Sequence, residues 1–213
     1  MPYYGGGMDI DMKMNLPNKL TVIRIFVVPI FMAFMMLPET VLSFKIVSII
    51  GAALFLLSSL TDMVDGKLAR KNNQITDFGK FLDPLADKFL VISAMIVILY
   101  RYENLRAVFV WAFAVVIFRE LAVTSIRLVA STKASVVVAA NMLGKIKTVS
   151  QMTCVMTVII EPLLYPASFE LFGHKMAEIL PLTYITIAFM TFMTILSGAS
   201  YIKACWKYLD PEK

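Results

Sequence analysis

Thr61–Lys88 reads TDMVDGKLARKNNQITDFGKFLDPLADK and joins two strongly apolar runs. It holds five aspartates and no glutamate. Asp62, Asp65, Gly66 and Ala69 fall at i, i+3, i+4 and i+7, which is one face of a helix. Gly79, Asp83 and Asp87 fall at i, i+4 and i+8, again close to one face. The polar stretch between them, KLARKNNQITDF, suits a turn on the aqueous side. Two antiparallel helices joined by that turn would bring four carboxylates together.

The rest of the chain says what surrounds those carboxylates. Of its 213 residues 59% are hydrophobic, and the mean hydropathy is +0.78. Soluble domains are about 45–50% apolar, so this chain needs lipid as part of its solvent. A bilayer span takes roughly 20 mostly apolar residues. Six such segments are predicted: about Leu20–Leu37, Val41–Leu60, Phe89–Tyr100, Ala107–Val129, Lys147–Tyr165 and Ile179–Lys203. The third extends backwards through the aspartates. The first follows LPN, a helix-start signal. Continuous apolar runs of this length are helices, because barrel strands alternate and are about half as long. The expected fold is an all-α integral membrane protein with six transmembrane helices. Residues 15–210 form that domain, and residues 1–14 read as a flexible leader, natural or left over from cloning. Nothing at the start resembles a cleaved signal peptide. Cys154 and Cys205 lie far apart in apolar segments, so no disulfide framework is expected.

Lysine and arginine set the expected orientation. One side of the membrane would carry 16 of them and the other 4, namely Lys45, Arg101, Arg106 and Lys175. This split places both termini and the aspartate stretch in the cytoplasm.

Four carboxylates at close range repel. Each would cost about 2.5–3.5 kcal/mol at the centre of a bilayer. Such a cluster belongs near the interface, with cations to neutralise it. Hard divalent ions suit carboxylate oxygens best, and two of them form a clamp for displacement at phosphorus. Gly66, Ala69 and Gly79 leave room on the same faces, and Arg70 offers a bidentate donor for phosphate. Taken singly, an aspartate at a helix end can be only a cap. Asp77 after Thr76, and Asp83 before Pro84, both allow that reading. The joint spacing argues against it.

The pattern D62-x2-D65-G66-x2-A69-R70-x8-G79-x3-D83-x3-D87 resembles, at every position, the signature of the CDP-alcohol phosphatidyltransferases. The resemblance extends over about residues 14 to 207. It implies transfer of a phosphatidyl group from CDP-diacylglycerol to an alcohol, with release of CMP. It implies that Asp62, Asp65 and Asp83 bind divalent metal, Mg²⁺ or Mn²⁺, with two ions expected. Asp87 would be the general base and would also touch metal. Gly66, Ala69, Arg70 and Gly79 would hold the cytidine and diphosphate with Asp62. Asn18, Thr21 and Arg24, in PNKLTVIR, match a first-helix pattern that adds to the nucleotide site. The resemblance also implies a homodimer.

The chemistry agrees with the residue types. A diphosphate needs metal and guanidinium to cancel its charge, and an alcohol attacks once a base takes its proton. No cysteine or serine–histidine pair offers a covalent nucleophile, so direct in-line displacement is expected. His174, the only histidine, is expected on the outer side with no role in the chemistry.

The acceptor is read elsewhere. Arg119 and Glu120 interrupt the apolar fourth segment, as a functional or a purely structural ion pair. NMLGKIKTVSQ, residues 141–151, opens the fifth segment with Gly144, Thr148 and Gln151 on one face. Lysines there can simply snorkel to the interface. Together, Arg119, Arg127, Lys145 and Lys147 make a basic pocket suited to an acceptor carrying its own phosphate. FRE followed by GKIKTVSQ, with the opening MNLPNKLTVIR, resembles the bacterial branch of the family that forms phosphatidylglycerophosphate from sn-glycerol 3-phosphate. Serine or an inositol phosphate would be acceptors within the same family. Outside it, membrane prenyltransferases also use aspartates and Mg²⁺, but lack this paired spacing. A divalent-cation transporter would favour internal repeats and a midplane site, and neither is evident.

Overall fold

The structure is a computed structural model. It describes residues 15–71, 77–134, 142–165, 170–171, 174–175 and 179–206. The side chains of residues 16–17, 62–71, 77–78, 80–81, 128, 130–134, 170–171 and 174–175 lie outside that description.

Six α-helices make up the described fold: α1 (Leu16–Met35), α2 (Phe44–Lys71), α3 (Asp77–Arg101), α4 (Arg106–Ala134), α5 (Met142–Leu164) and α6 (Pro181–Cys205). A 3₁₀ turn, Glu103–Leu105, joins α3 to α4. Glu170–Leu171 pairs antiparallel with His174–Lys175 between α5 and α6, a short ladder that the sequence did not suggest. Asn15 caps α1 by accepting the Asn18 backbone N–H at 3.1 Å, and Pro17 sits in the first turn, where its missing N–H costs nothing. Arg101, at the end of α3, donates to the backbone oxygens of Met35 and Leu37 and ties down the end of α1. At the start of α6, Leu180 adopts a left-handed backbone (φ 49°) and provides no side-chain cap. Glu161, buried on α5, replaces it by accepting the N–H groups of Leu182 at 2.9 Å and Thr183 at 2.6 Å.

The helices close a circuit. α1 packs along both α2 and α3, α2 continues to α5, α5 to α6, α6 to α4, and α4 back to α3. Among the described residues α2 and α3 touch little and α1 lies against both, while the turn expected between them, residues 72–76, lies outside the described residues. The main apolar cluster of the interior includes Val28, Phe31, Phe55, Met95, Phe109, Val158 and Met190, and a smaller one holds Val123, Tyr201 and Cys205. Large apolar side chains also face outward, among them Trp111 (74% exposed) and Phe118 (73%). An outer surface of that kind fits lipid and not water.

Five of the six helices are long and apolar enough to cross a membrane: α1, α2, α4, α5 and α6. Six were expected, and α3 is the one that falls short of that measure. Its 25 residues are long enough, but Asp83, Asp87 and Lys88 interrupt its apolar run. Two expected boundaries also move. α1 begins before the apolar run, at the cap, and α2 runs on to Lys71 through the aspartate positions. Asp83 is not a helix cap, because α3 begins at Asp77 and Pro84 lies inside it. Cys154 and Cys205 are both buried and free, as expected.

Candidate active site

A cavity of about 440 Å³ opens between α3, α4, α5 and α6. Asp83 and Asp87 line it from α3, one helical turn apart. Their position is fixed from α1. Asn18, Thr21 and Arg24 are 6%, 1% and 2% exposed and run along one buried face of that helix. Thr21 Oγ1 donates to Asp83 Oδ1 at 2.8 Å, and Arg24 Nη1 donates to Asp87 Oδ1 at 3.0 Å. The Arg24 side chain is fully enclosed, whereas that of Asp87 is half exposed. An enclosed guanidinium thus holds a carboxylate that reaches into open space.

The opposite wall is basic. Arg119, Arg127, Lys145 and Lys147, expected from the sequence to form one pocket, all line this cavity. Glu120 Oε1 accepts from Arg119 Nη1 at 3.0 Å and also from Lys147 Nζ. Arg119 Nη2 donates to Ser197 Oγ on α6 at 2.7 Å. Arg127 Nε donates to the Tyr201 hydroxyl at 2.8 Å, and its guanidinium lies 5.0 Å from the centroid of the same ring. Lys88, on α3, donates to Thr124 Oγ1 on α4. Gly198 is buried beneath Arg119, where an added Cβ would meet Arg119 Cγ at 3.2 Å. The Arg119–Glu120 pair is thus part of a network that extends to α5 and α6.

Gly79 is buried on α3. Asp62, Asp65, Gly66, Ala69 and Arg70 fall within the last turns of α2, but their side chains lie outside the described residues. The same holds for His174. Among the described residues, no three His, Cys, Asp or Glu side chains gather as a metal-holding group. The α3 carboxylates nonetheless suit a hard divalent ion. They are all-oxygen donors, a carboxylate offers about four lone-pair sites, and the Asp87 side chain is half exposed to the cavity.

Sequence reasoning gave Glu120 only as the ion-pair partner of Arg119 and assigned Ser197 and Tyr201 no role. Ser197 and Tyr201 stand 78 and 74 residues from their partners, which no local spacing can reveal. One signal was available. Thr194, Ser197 and Tyr201 form a polar stripe at i, i+3 and i+7 on a largely apolar helix.

Comparison with known proteins follows the same residues. The CDP-alcohol phosphatidyltransferase family model matches residues 14–197. A Bacillus subtilis (strain 168) protein named CDP-diacylglycerol--glycerol-3-phosphate 3-phosphatidyltransferase is 43% identical over 205 residues, covering 92% of this chain and 97% of its own. A Rickettsia felis protein of the same name is 37% identical over 199 residues, covering 91% and 97%. One from Salmonella typhimurium, also of that name, is 34% identical over 152 residues, covering 71% and 80%.

Proposed function

The chain belongs to the CDP-alcohol phosphatidyltransferase family, and on that premise we propose that it transfers the phosphatidyl group of CDP-diacylglycerol to sn-glycerol 3-phosphate, giving phosphatidylglycerophosphate and CMP. The observation that carries this reading is the shared cavity: two carboxylates of the family motif face four cations across it. A neutral acceptor such as serine has less use for that wall. The relatives named above bear the name of the same reaction.

Each group has a part. Arg119, Lys145 and Lys147 grip the acceptor phosphate, with Arg127 at the rim. Asp87 takes the proton of the primary hydroxyl. That oxygen then attacks the phosphorus carrying diacylglycerol, in line with the bond to CMP, and CMP leaves with the electron pair of the broken P–O bond. Arg24 and Thr21 hold Asp87 and Asp83 at the angle the attack needs. Asn18, Thr21, Arg24, Asp62, Gly66, Ala69, Arg70 and Gly79 receive the CDP group. Divalent metal, two ions of Mg²⁺ or Mn²⁺, would be held by Asp62, Asp65, Asp83 and Asp87 and would cancel diphosphate charge as a Lewis acid.

Residues 15–210 act as one domain in a bacterial cytoplasmic membrane. All six helices cross it, α3 with its charged end at the cytoplasmic edge. Both termini and the cavity face the cytoplasm, and the working form is a homodimer. The donor's tails stay in lipid while the cavity admits the soluble acceptor.

Lys147→Ala tests the assignment. It should raise the glycerol 3-phosphate KM about tenfold or more, since charge-assisted hydrogen bonds contribute about 1.5–3 kcal/mol. The CDP-diacylglycerol KM should change little. Equal effects on both would refute the acceptor pocket.

A further inference from the structure

Two buried N–H donors in this cavity have no use in the site as built so far. Gln151 lies one turn beyond Lys147 on α5, is 2% exposed, and lines the cavity. Its amide nitrogen has no hydrogen-bond partner among the described residues. Arg119 Nε also has none, although its other two nitrogens bind Glu120 and Ser197. A buried donor without an acceptor costs stability. A ligand that brings an oxygen would remove that cost.

The surroundings define the ligand. Val91, Val116 and Met152 make the cavity wall partly apolar, and none of its oxygens accepts from the Gln151 amide nitrogen among the described residues. Five cations (Lys88, Arg119, Arg127, Lys145, Lys147) line the cavity against three carboxylates (Asp83, Asp87, Glu120), which favours an anion. Gln151 adds no charge. What it adds is direction: an N–H bond made only to an oxygen that stands in the right place. A site built to hydrogen-bond a substrate discriminates strongly against compounds lacking the partner atom.

We propose that Gln151 determines acceptor specificity, its amide N–H donating to an oxygen of a small phosphorylated polyol seated in the cavity. This rests on the reading above that the cavity takes the acceptor. Phosphate and hydroxyl oxygens share the chemistry that Gln151 would read.

The test uses the full-length protein in detergent. Gln151→Met keeps length and volume while removing the donor. A buried amide with only a structural role should leave substrate constants alone and lower the melting temperature when lost, whereas loss of an unpaired donor should leave the melting temperature unchanged or raised. The expected result is a KM for glycerol 3-phosphate raised about tenfold, with the CDP-diacylglycerol KM within about twofold. Calorimetric binding of glycerol 3-phosphate, without turnover, should weaken by the same factor. Binding of inorganic phosphate assigns the oxygen. A matching loss places Gln151 on the phosphate, and an unchanged affinity places it on a hydroxyl. Unchanged glycerol 3-phosphate binding in Q151M overturns the proposal, as does an equal rise in both KM values. If Q151M does not purify, Gln151→Asn, which withdraws the amide by one methylene, must show the same KM split. If wild-type protein releases CMP only with a different acceptor, the glycerol 3-phosphate reading falls, and Gln151 stands or falls on the KM of that acceptor.

Discussion

Asp87 and Asp83 differ in what holds them, and the difference has measurable consequences. Asp83 receives a neutral hydroxyl, whereas Asp87 receives an enclosed guanidinium. A neutral hydrogen bond contributes about 0.5–1.5 kcal/mol, and a charged one about 1.5–3. Thr21→Val is therefore expected to lower kcat/KM for CDP-diacylglycerol by at most about tenfold. Arg24→Met should lower it about a hundredfold, because the carboxylate loses both partner and aim. Steady-state CMP release under equal metal would order the two, and an equal or reversed order would contradict the assigned roles. The sequence displayed this part of the site well. Thr21 and Arg24 lie on the same helix face, and the aspartates sit at fixed spacing on another. It displayed Glu161 poorly. That residue stands in IIEPLLYP as an isolated charge, and its partners are backbone amides 21 and 22 residues away. Backbone partners leave no trace in residue type.

At the scale of elements, close packing matters more than hydropathy. An added Cβ on Gly51, in α2, would come within 2.0 Å of the Met35 sulfur in α1, and Met35 is fully buried. Gly51→Ala should cost about 1–3 kcal/mol by overpacking. Met35→Ala alone should cost about 2–5 kcal/mol by leaving a cavity. The double variant should cost less than the sum, because the new methyl enters the space Met35 vacates. Thermal unfolding in detergent measures all three, and strict additivity would contradict the α1–α2 contact. Glu161→Leu should weaken the start of α6 by about 2 kcal/mol or more, by orphaning two amides. Its melting temperature should fall while activity per folded molecule persists. Helix number and order were legible from the apolar runs, but several ends were not. Hydropathy marks where a helix is greasy. Asn15 and Pro17 mark where α1 begins, in a stretch too polar to count as a span. The course of α2 through the aspartates has the same origin.

For the whole molecule, the circuit of helices explains why residues far apart in sequence share one cavity. α3 and α4 bring the aspartates to the FRE pair, and α5 closes the pocket with Lys147. The orientation proposed from the charge split can be tested directly. Native Cys154 and Cys205 are buried, so added cysteines give a clean signal. Lys203→Cys should react with an impermeant thiol reagent only from the cytoplasmic face, and Glu39→Cys only from the outer face. The reverse pattern would invert the topology. The apolar segments were readable as membrane helices. The α1 contact between α2 and α3 was not, because spacing within one helix carries no information about which helix lies beside it. The central claim is that this cavity joins a phosphatidyl donor to a phosphorylated acceptor. Its most direct measurement is CMP release by the purified protein, given CDP-diacylglycerol and Mg²⁺, with glycerol 3-phosphate, serine, inositol phosphate or no acceptor. Release only with glycerol 3-phosphate, abolished by EDTA and by Asp87→Asn, is the expected result. Release that is independent of acceptor, or that survives both EDTA and Asp87→Asn, would contradict it.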